Sequence, residues 1–288
     1  MRLDEAMQTS AETAGVQKAP PKRVAFYFVA HEDDWQLFMN PSAFYDVLDA
    51  ATKTVFIHLT AGDAGLGTNT GGRKHPYYAA RETGAENAIR FMADSDNRAP
   101  DDTQVSTPAF NGRQIRRVSY RNTVAYFLRL PDGSPEGDGY ADTGDQSLRR
   151  LAQGQIRALT AVDDSASYSG WSDLTSTLRA IIELERGQAP VIHLNLPEVD
   201  IRLNPGDHPD HYMTGQAALA ATEDFSAHRV HYVGYSSAKS PENLSAKDRD
   251  MKCAVYAVTG ASLLALDHPI SWRHYDESYA GRSYFRRL

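Results

Sequence analysis

Residues 24–30 (VAFYFVA) form an unbroken apolar and aromatic run, the pattern of a strand buried on both faces of a parallel sheet. Short β-branched or aromatic runs recur at 53–59 (KTVFIHL), 189–196 (APVIHLNL) and 229–236 (RVHYVGYS), and each predicts a strand. Residues 116–130 read as one or two more. Between these runs the apolar positions fall at helical spacing. Residues 77–93 are the clearest case, rich in Ala, Arg and Glu, with Ala85, Ala88, Ile89 and Met92 on one stripe. Further helices are predicted from Pro41 as a first helical position, over 148–161, over 172–186 with Gly187 as the stop, from Tyr212 to about 224, and over 246–266. Residues 94–110 are polar and read as a loop. The Gly/Asp-rich stretch 131–147 reads as a second loop, long enough to close over a site. The aromatic and Arg-rich tail from Trp272 is expected to pack on the outside. Strands alternating with helices predict an α/β protein with a mainly parallel sheet and helices on both faces.

Composition narrows the partners. The chain has 288 residues, 41% hydrophobic, with a net charge of -7. That is ample for one large core, and without a long basic run it argues against nucleic acid as the main partner. No apolar run approaches the roughly 18 residues that a membrane span needs. A single cysteine, Cys253, excludes an internal disulfide framework. Residues 1–22 lack the apolar centre of a secretory signal and read as a loosely ordered arm, leaving 23–288 as the folded domain and a cytoplasmic setting as the expectation.

The candidate chemistry lies just beyond two of the strands. After residue 30 the chain turns to His31, Glu32, Asp33 and Asp34, and beyond the strand near Ile192 it reads His208-Pro209-Asp210-His211. In a parallel sheet both groups open on the same edge, where open α/β sheets bind ligands. His31, Asp34 and His211 then supply three ligands to one divalent ion, zinc by donor type, with a coordination position left open as in catalytic sites. Asp33, next to a ligand but free of the metal, is the candidate general base. The glycine-rich 67–72 lacks the GK[ST] ending of a phosphate loop.

Four motifs in order, Ala30-His31-x-Asp33-Asp34, Thr60-x-Gly62-x-x-Gly65, Arg81-Glu82-x-x-x-Glu86 and His208-Pro209-Asp210-His211, resemble the PIG-L/LmbE family of zinc-dependent deacetylases over residues 24–260. The resemblance implies a Rossmann-like fold and removal of N-acyl groups, commonly acetyl, from amino sugars and related amides. By position it implies His31, Asp34 and His211 as metal ligands and Asp33 as the base. His208 resembles the residue that stabilises the oxyanion or protonates the leaving amine, with Asp210 orienting it, and Arg81 resembles a substrate anchor. Two positions depart from the pattern: Glu32 stands where the family usually has Pro, and Trp35 where it commonly has Glu. Trp35, beside a ligand, then becomes a candidate stacking face for the substrate.

These readings predict a zinc-dependent amidohydrolase acting on an N-acylated small molecule, foremost an amino sugar or its glycoside. The alternatives are an amidase for a larger acyl group on a thiol conjugate or natural product, and a sugar-binding relic of the same fold. The retained Asp33 speaks against the relic, since a pure binder has no use for a base. A phosphoesterase with two metals would want more carboxylates and histidines than these.

Overall fold

The structure, a computed structural model, describes residues 20–288. Most of the expected N-terminal arm lies outside them. The eight strands of the main sheet are β1 (Arg23–Val29), β2 (Thr52–Thr60), β3 (Gln104–Ser106), β4 (Arg116–Tyr120), β5 (Thr123–Leu130), β6 (Val191–Pro197), β7 (His228–Tyr232) and β8 (Phe285–Arg287). Their spatial order is β8-β7-β6-β1-β2-β5-β4-β3. The five strands from β7 to β5 are parallel, while β8 pairs antiparallel with β7 at one edge and β4 pairs antiparallel with both β5 and β3 at the other. The fold is therefore α/β with a mixed, mostly parallel sheet.

Residues of β1 alternate between two cores, as the strand period of two requires. Val24, Phe26 and Phe28 join one apolar cluster, and Ala25, Tyr27 and Val29 the other. The helices are α1 (Ser42–Leu48), α2 (Tyr77–Ala93), α3 (Leu148–Ala152), α4 (Trp171–Arg186), α5 (Pro209–Ala221), α6 (Ala246–Ala265) and α7 (Trp272–Ser278). Those supplying Leu151, Leu178 and Ala218 cover the first face. Those supplying Val47, Ala88, Val255 and Tyr275 cover the second. Each fully buried Phe or Leu contributes roughly 1.5–3 kcal/mol.

Several expected elements differ. Residues Trp35–Met39 form one π-helical turn, and the next helix begins at Ser42, one residue after Pro41. The stretch 94–110 carries β3 and half of a small hairpin, Ala109–Phe110 with Arg113–Gln114. The helix expected over 148–161 stops at Ala152. The helix expected from Tyr212 starts three residues earlier, at Pro209. The tail is only partly external: Trp272 is half-exposed, but Tyr275 and Tyr279 are buried in the second core. Among the described residues no helix is long and apolar enough to cross a membrane. Cys253 is free and half-buried.

The sheet order fixes where a site can form. From β1 the chain moves outward to β2 on one side, and later returns to add β6 on the other. Between β1 and β6 the order reverses, which leaves a crevice beyond the carboxyl ends of these two strands.

Candidate metal centre

Both motif groups open into that crevice. At the end of β1 the chain bends through His31–Asp34, and the His31 N–H donates to Asp34 Oδ2 at 2.8 Å, which fixes the bend locally. On the β6 side His208 caps α5: its Nδ1 accepts from the Asp210 N–H at 3.2 Å, with Pro209 in the first turn. Such an N-terminus has spare N–H donors, and a side-chain acceptor satisfies one of them. The cap sets the first turn, and the turn aims His211 across the crevice at His31.

Three donor atoms then form a triangle. His211 Nε2 lies 3.2 Å from Asp34 Oδ1 and 3.3 Å from His31 Nδ1, and His31 Nδ1 lies 3.5 Å from Asp34 Oδ1. A tetrahedral zinc with arms of about 2.0–2.1 Å has donor–donor edges of about 3.3 Å, so the triangle matches one face of that tetrahedron. Asp34 Oδ1 is buried and has no hydrogen-bond partner, the state expected of an atom reserved for a ligand. His211 Nδ1 pairs with Asp207 Oδ1 at 2.9 Å. Asp207 is held in turn by Asn204 Nδ2 at 2.6 Å and the Tyr235 N–H at 3.0 Å. A carboxylate behind a ligating imidazole fixes its tautomer and raises its basicity. Two imidazoles and one carboxylate fit a borderline divalent ion.

His31 also belongs to a second group with Asp132, His208 and Asp210. Its Nε2, buried and unpartnered, faces Asp210 Oδ2 at 3.7 Å and Asp132 Oδ2 at 3.9 Å. A proton on Nε2 would face these carboxylates, which favours the tautomer that leaves the Nδ1 lone pair for the triangle. Burial opposes charge on both ligating histidines, but the carboxylates win. Asp34, Asp210 and Asp132 hold His31 well above its ordinary value, and Asp207 and Asp34 hold His211 up at about 10. The same histidines hold Asp34 well below the carboxylate range despite its burial. His208 goes the other way, to about 4, through burial and the charges of His31 and His211.

The remaining candidates are placed differently from the expectations. Asp210 meets His208 through its backbone N–H, while its carboxylate accepts from the Gly133 N–H at 2.7 Å. Arg81 was expected to anchor substrate, but its donors are turned inward. Nη1 donates to Gly62 O at 2.7 Å, Nη2 to Asp33 Oδ1, and Nε lies 3.2 Å from Glu32 Oε2. Gly62, at φ +49, allows this approach, since a Cβ there would collide with Arg81 and Glu32. The Glu32 carboxyl is buried, and burial pushes it well above the carboxylate range despite Arg81. Trp35, expected as a stacking face for substrate, is 0% exposed and packs on Phe56 with ring centroids 4.9 Å apart. The π-helical turn points it into the core, so it is no part of a pocket wall. Asp33 remains one-quarter exposed, at the edge of a cleft.

The loop 131–147 is tied to the centre. The Asp132 N–H donates to Asp63 Oδ1 at 2.9 Å, and Ser147 Oγ donates to Gly137 O at 2.6 Å. Asp132 and Asp207 escaped the sequence reading. Asp132 is a single acid in an Asp/Gly-rich loop, but Asp207 had a legible mark, its place four residues before His211. Neither a protein-family model nor a curated protein matches this chain in sequence comparison.

Proposed function

We propose that this chain is a zinc-dependent hydrolase that removes an N-acyl group, acetyl in the simplest case, from an amino sugar or a related glycoside-type small molecule. We further propose that its domain follows the plan of the PIG-L/LmbE deacetylases that its motifs resemble. One observation carries the reading: the donor triangle of His31, Asp34 and His211 has the edge lengths of one face of a zinc tetrahedron. A divalent ion there supplies Lewis-acid polarisation of an amide carbonyl and acidifies water.

The chain's own residues divide the rest. Asp33, fixed by Arg81 and still partly exposed, is the group to take a proton from water. His208 has its Nδ1 lone pair committed to the Asp210 N–H, so a neutral ring carries its proton on Nε2. With its basicity lowered by burial, it suits hydrogen-bond donation to a developing oxyanion better than storage of a proton for the leaving amine. Asp132 and Asp210 face Nε2 of His31, and Asp207 holds the tautomer of His211.

The test is amine release from N-acetylglucosamine and its glycosides by zinc-loaded protein, with metal content measured alongside. Asp33→Asn is expected to keep the metal and lose about 10²–10⁴-fold in rate, and His211→Ala to lose both. Stoichiometric zinc with no amine released from any N-acyl substrate would overturn the reading.

A further inference from the structure

A cleft of about 350 Å³ lies beside the centre, walled by Asp33, Leu37, Tyr235, Tyr256, Tyr275 and Tyr279, with Ser271 and His274 on its rim. Two contacts join it to the metal ligands. Asp33 is one. The other is Tyr235, whose ring centroid lies 5.0 Å from that of His211 and 6.1 Å from that of Tyr279. Phe38 fills the angle behind, meeting His211, Tyr235 and Tyr279 edge-on at 5.6, 5.5 and 5.4 Å.

The walls are built rather than incidental. Tyr256 and Tyr275 stack at 3.9 Å with 12° between their planes, and the Tyr256 hydroxyl meets Ser271 Oγ at 3.1 Å. Beneath them the buried Lys252 ammonium donates to Leu37 O at 2.9 Å, Tyr279 O at 3.0 Å and Arg282 O at 2.6 Å. One cation thus ties the π-helical turn of the centre to the tail. Asp33 is matched by Arg81, so tyrosine side chains, four of the eight lining residues, and not a net charge, set the character of the lining. Tyr275, Tyr279 and Ser271 lie beyond residue 260, outside the stretch that resembles the deacetylases.

We infer that this cleft receives the non-acyl part of the substrate and that this part carries a planar aromatic group, so that aryl glycosides of N-acylated amino sugars are preferred to the bare sugar. The inference rests on the hydrolase reading above. A volume near the lower end of ligand pockets, about 300 Å³, suits one ring or two fused rings. Tyrosine rings favour an offset or edge-on aromatic partner. The role that Trp35 cannot fill from the core falls to these tyrosines.

The experiment compares N-acetylglucosamine with its 4-nitrophenyl β-glycoside on the zinc-loaded full chain, by calorimetric titration and by amine release. The aryl glycoside is expected to bind about tenfold more tightly, with the difference in KM and little in kcat. Ser271→Trp fills the cleft from an exposed rim position, and an unchanged melting temperature verifies its fold. It should bring the aryl glycoside down to the affinity of the bare sugar. Amine release from both compounds at equal KM and equal affinity overturns the cleft assignment and leaves the hydrolase reading standing. Aryl-selective binding that is lost in Ser271→Trp, with no amine released, supports the cleft and overturns the hydrolase reading. Selectivity that survives Ser271→Trp overturns the cleft assignment.

Discussion

At neutral pH and without a cation, His31 and His211 both hold protons, because Asp34, Asp132, Asp207 and Asp210 surround them. A metal ion needs the same lone pairs, so binding releases about two protons per ion at pH 7. Both histidines are raised above their ordinary value, so affinity is expected to climb with pH through neutrality. Calorimetry in buffers of different ionisation enthalpy measures the release, and a value near zero would remove these histidines as ligands. Arg81 makes a second test at this scale. Its donors serve Asp33, Gly62 and Glu32, so Arg81→Ala should weaken every substrate alike. A lost charged hydrogen bond costs about 1.5–3 kcal/mol, or roughly 10- to 150-fold in kcat/KM. A loss confined to hydroxyl-rich substrates would restore Arg81 as an anchor. The residues of the donor triangle were readable because each sits in a compact motif at a strand or helix end. The inward turn of Arg81 and the burial of Trp35 depend on contacts far away in sequence, which no local pattern carries.

Among elements, the loop 131–147 is the one whose behaviour departs most from its composition. Gly and Asp content suggested a lid, yet its first residues form the back wall of the centre: the Gly133 N–H supports Asp210, and Asp132 faces His31 and His208. A Cβ at Gly133 would collide with the Asp210 carboxylate. Gly133→Ala is therefore expected to weaken zinc binding about 10- to 100-fold, as losses behind metal ligands do, in a competition assay with a chromophoric chelator. Unaltered affinity would return the loop to the role of a detached cover. Long elements with a clear period were legible, and α2 spans the expected residues 77–93. Strands of two or three residues, such as β3 and the hairpin at 109–114, are too short to express a period, and their pairing comes from the neighbouring strand.

For the whole molecule, the centre joins the end of β1 to the first turn of α5, and so links parts that only the finished sheet brings together. An ion bound there stabilises the native state alone, by about 4.1 kcal/mol at a free concentration 1,000 times Kd. For a chain of this size that amounts to a rise of roughly 10 °C in melting temperature, reversed by a chelator and measurable by calorimetry. No shift, with zinc bound, would mean that the unfolded chain holds the ion as tightly as the folded one, and would overturn a site assembled by the fold. The mostly parallel sheet was legible from its apolar runs. Its antiparallel edges were not, since an edge strand such as β8, half-exposed and three residues long, resembles any polar tail.

The candidate ligands His31 and His211 stand 180 residues apart in the chain, and this bears on the order of events during folding. An unfolded chain offers a cation only local groups, His31 with Asp34 or His208 with Asp210 and His211, and never both halves together. His211 arrives once β6 has inserted beside β1, after the long loop has already lost its entropy. Zinc at the proposed site would therefore not speed the search and would only latch its result. Interactions absent from the transition state slow unfolding and leave refolding alone. Stopped-flow fluorescence should give one refolding rate at every zinc concentration, beside an unfolding rate that falls as zinc rises.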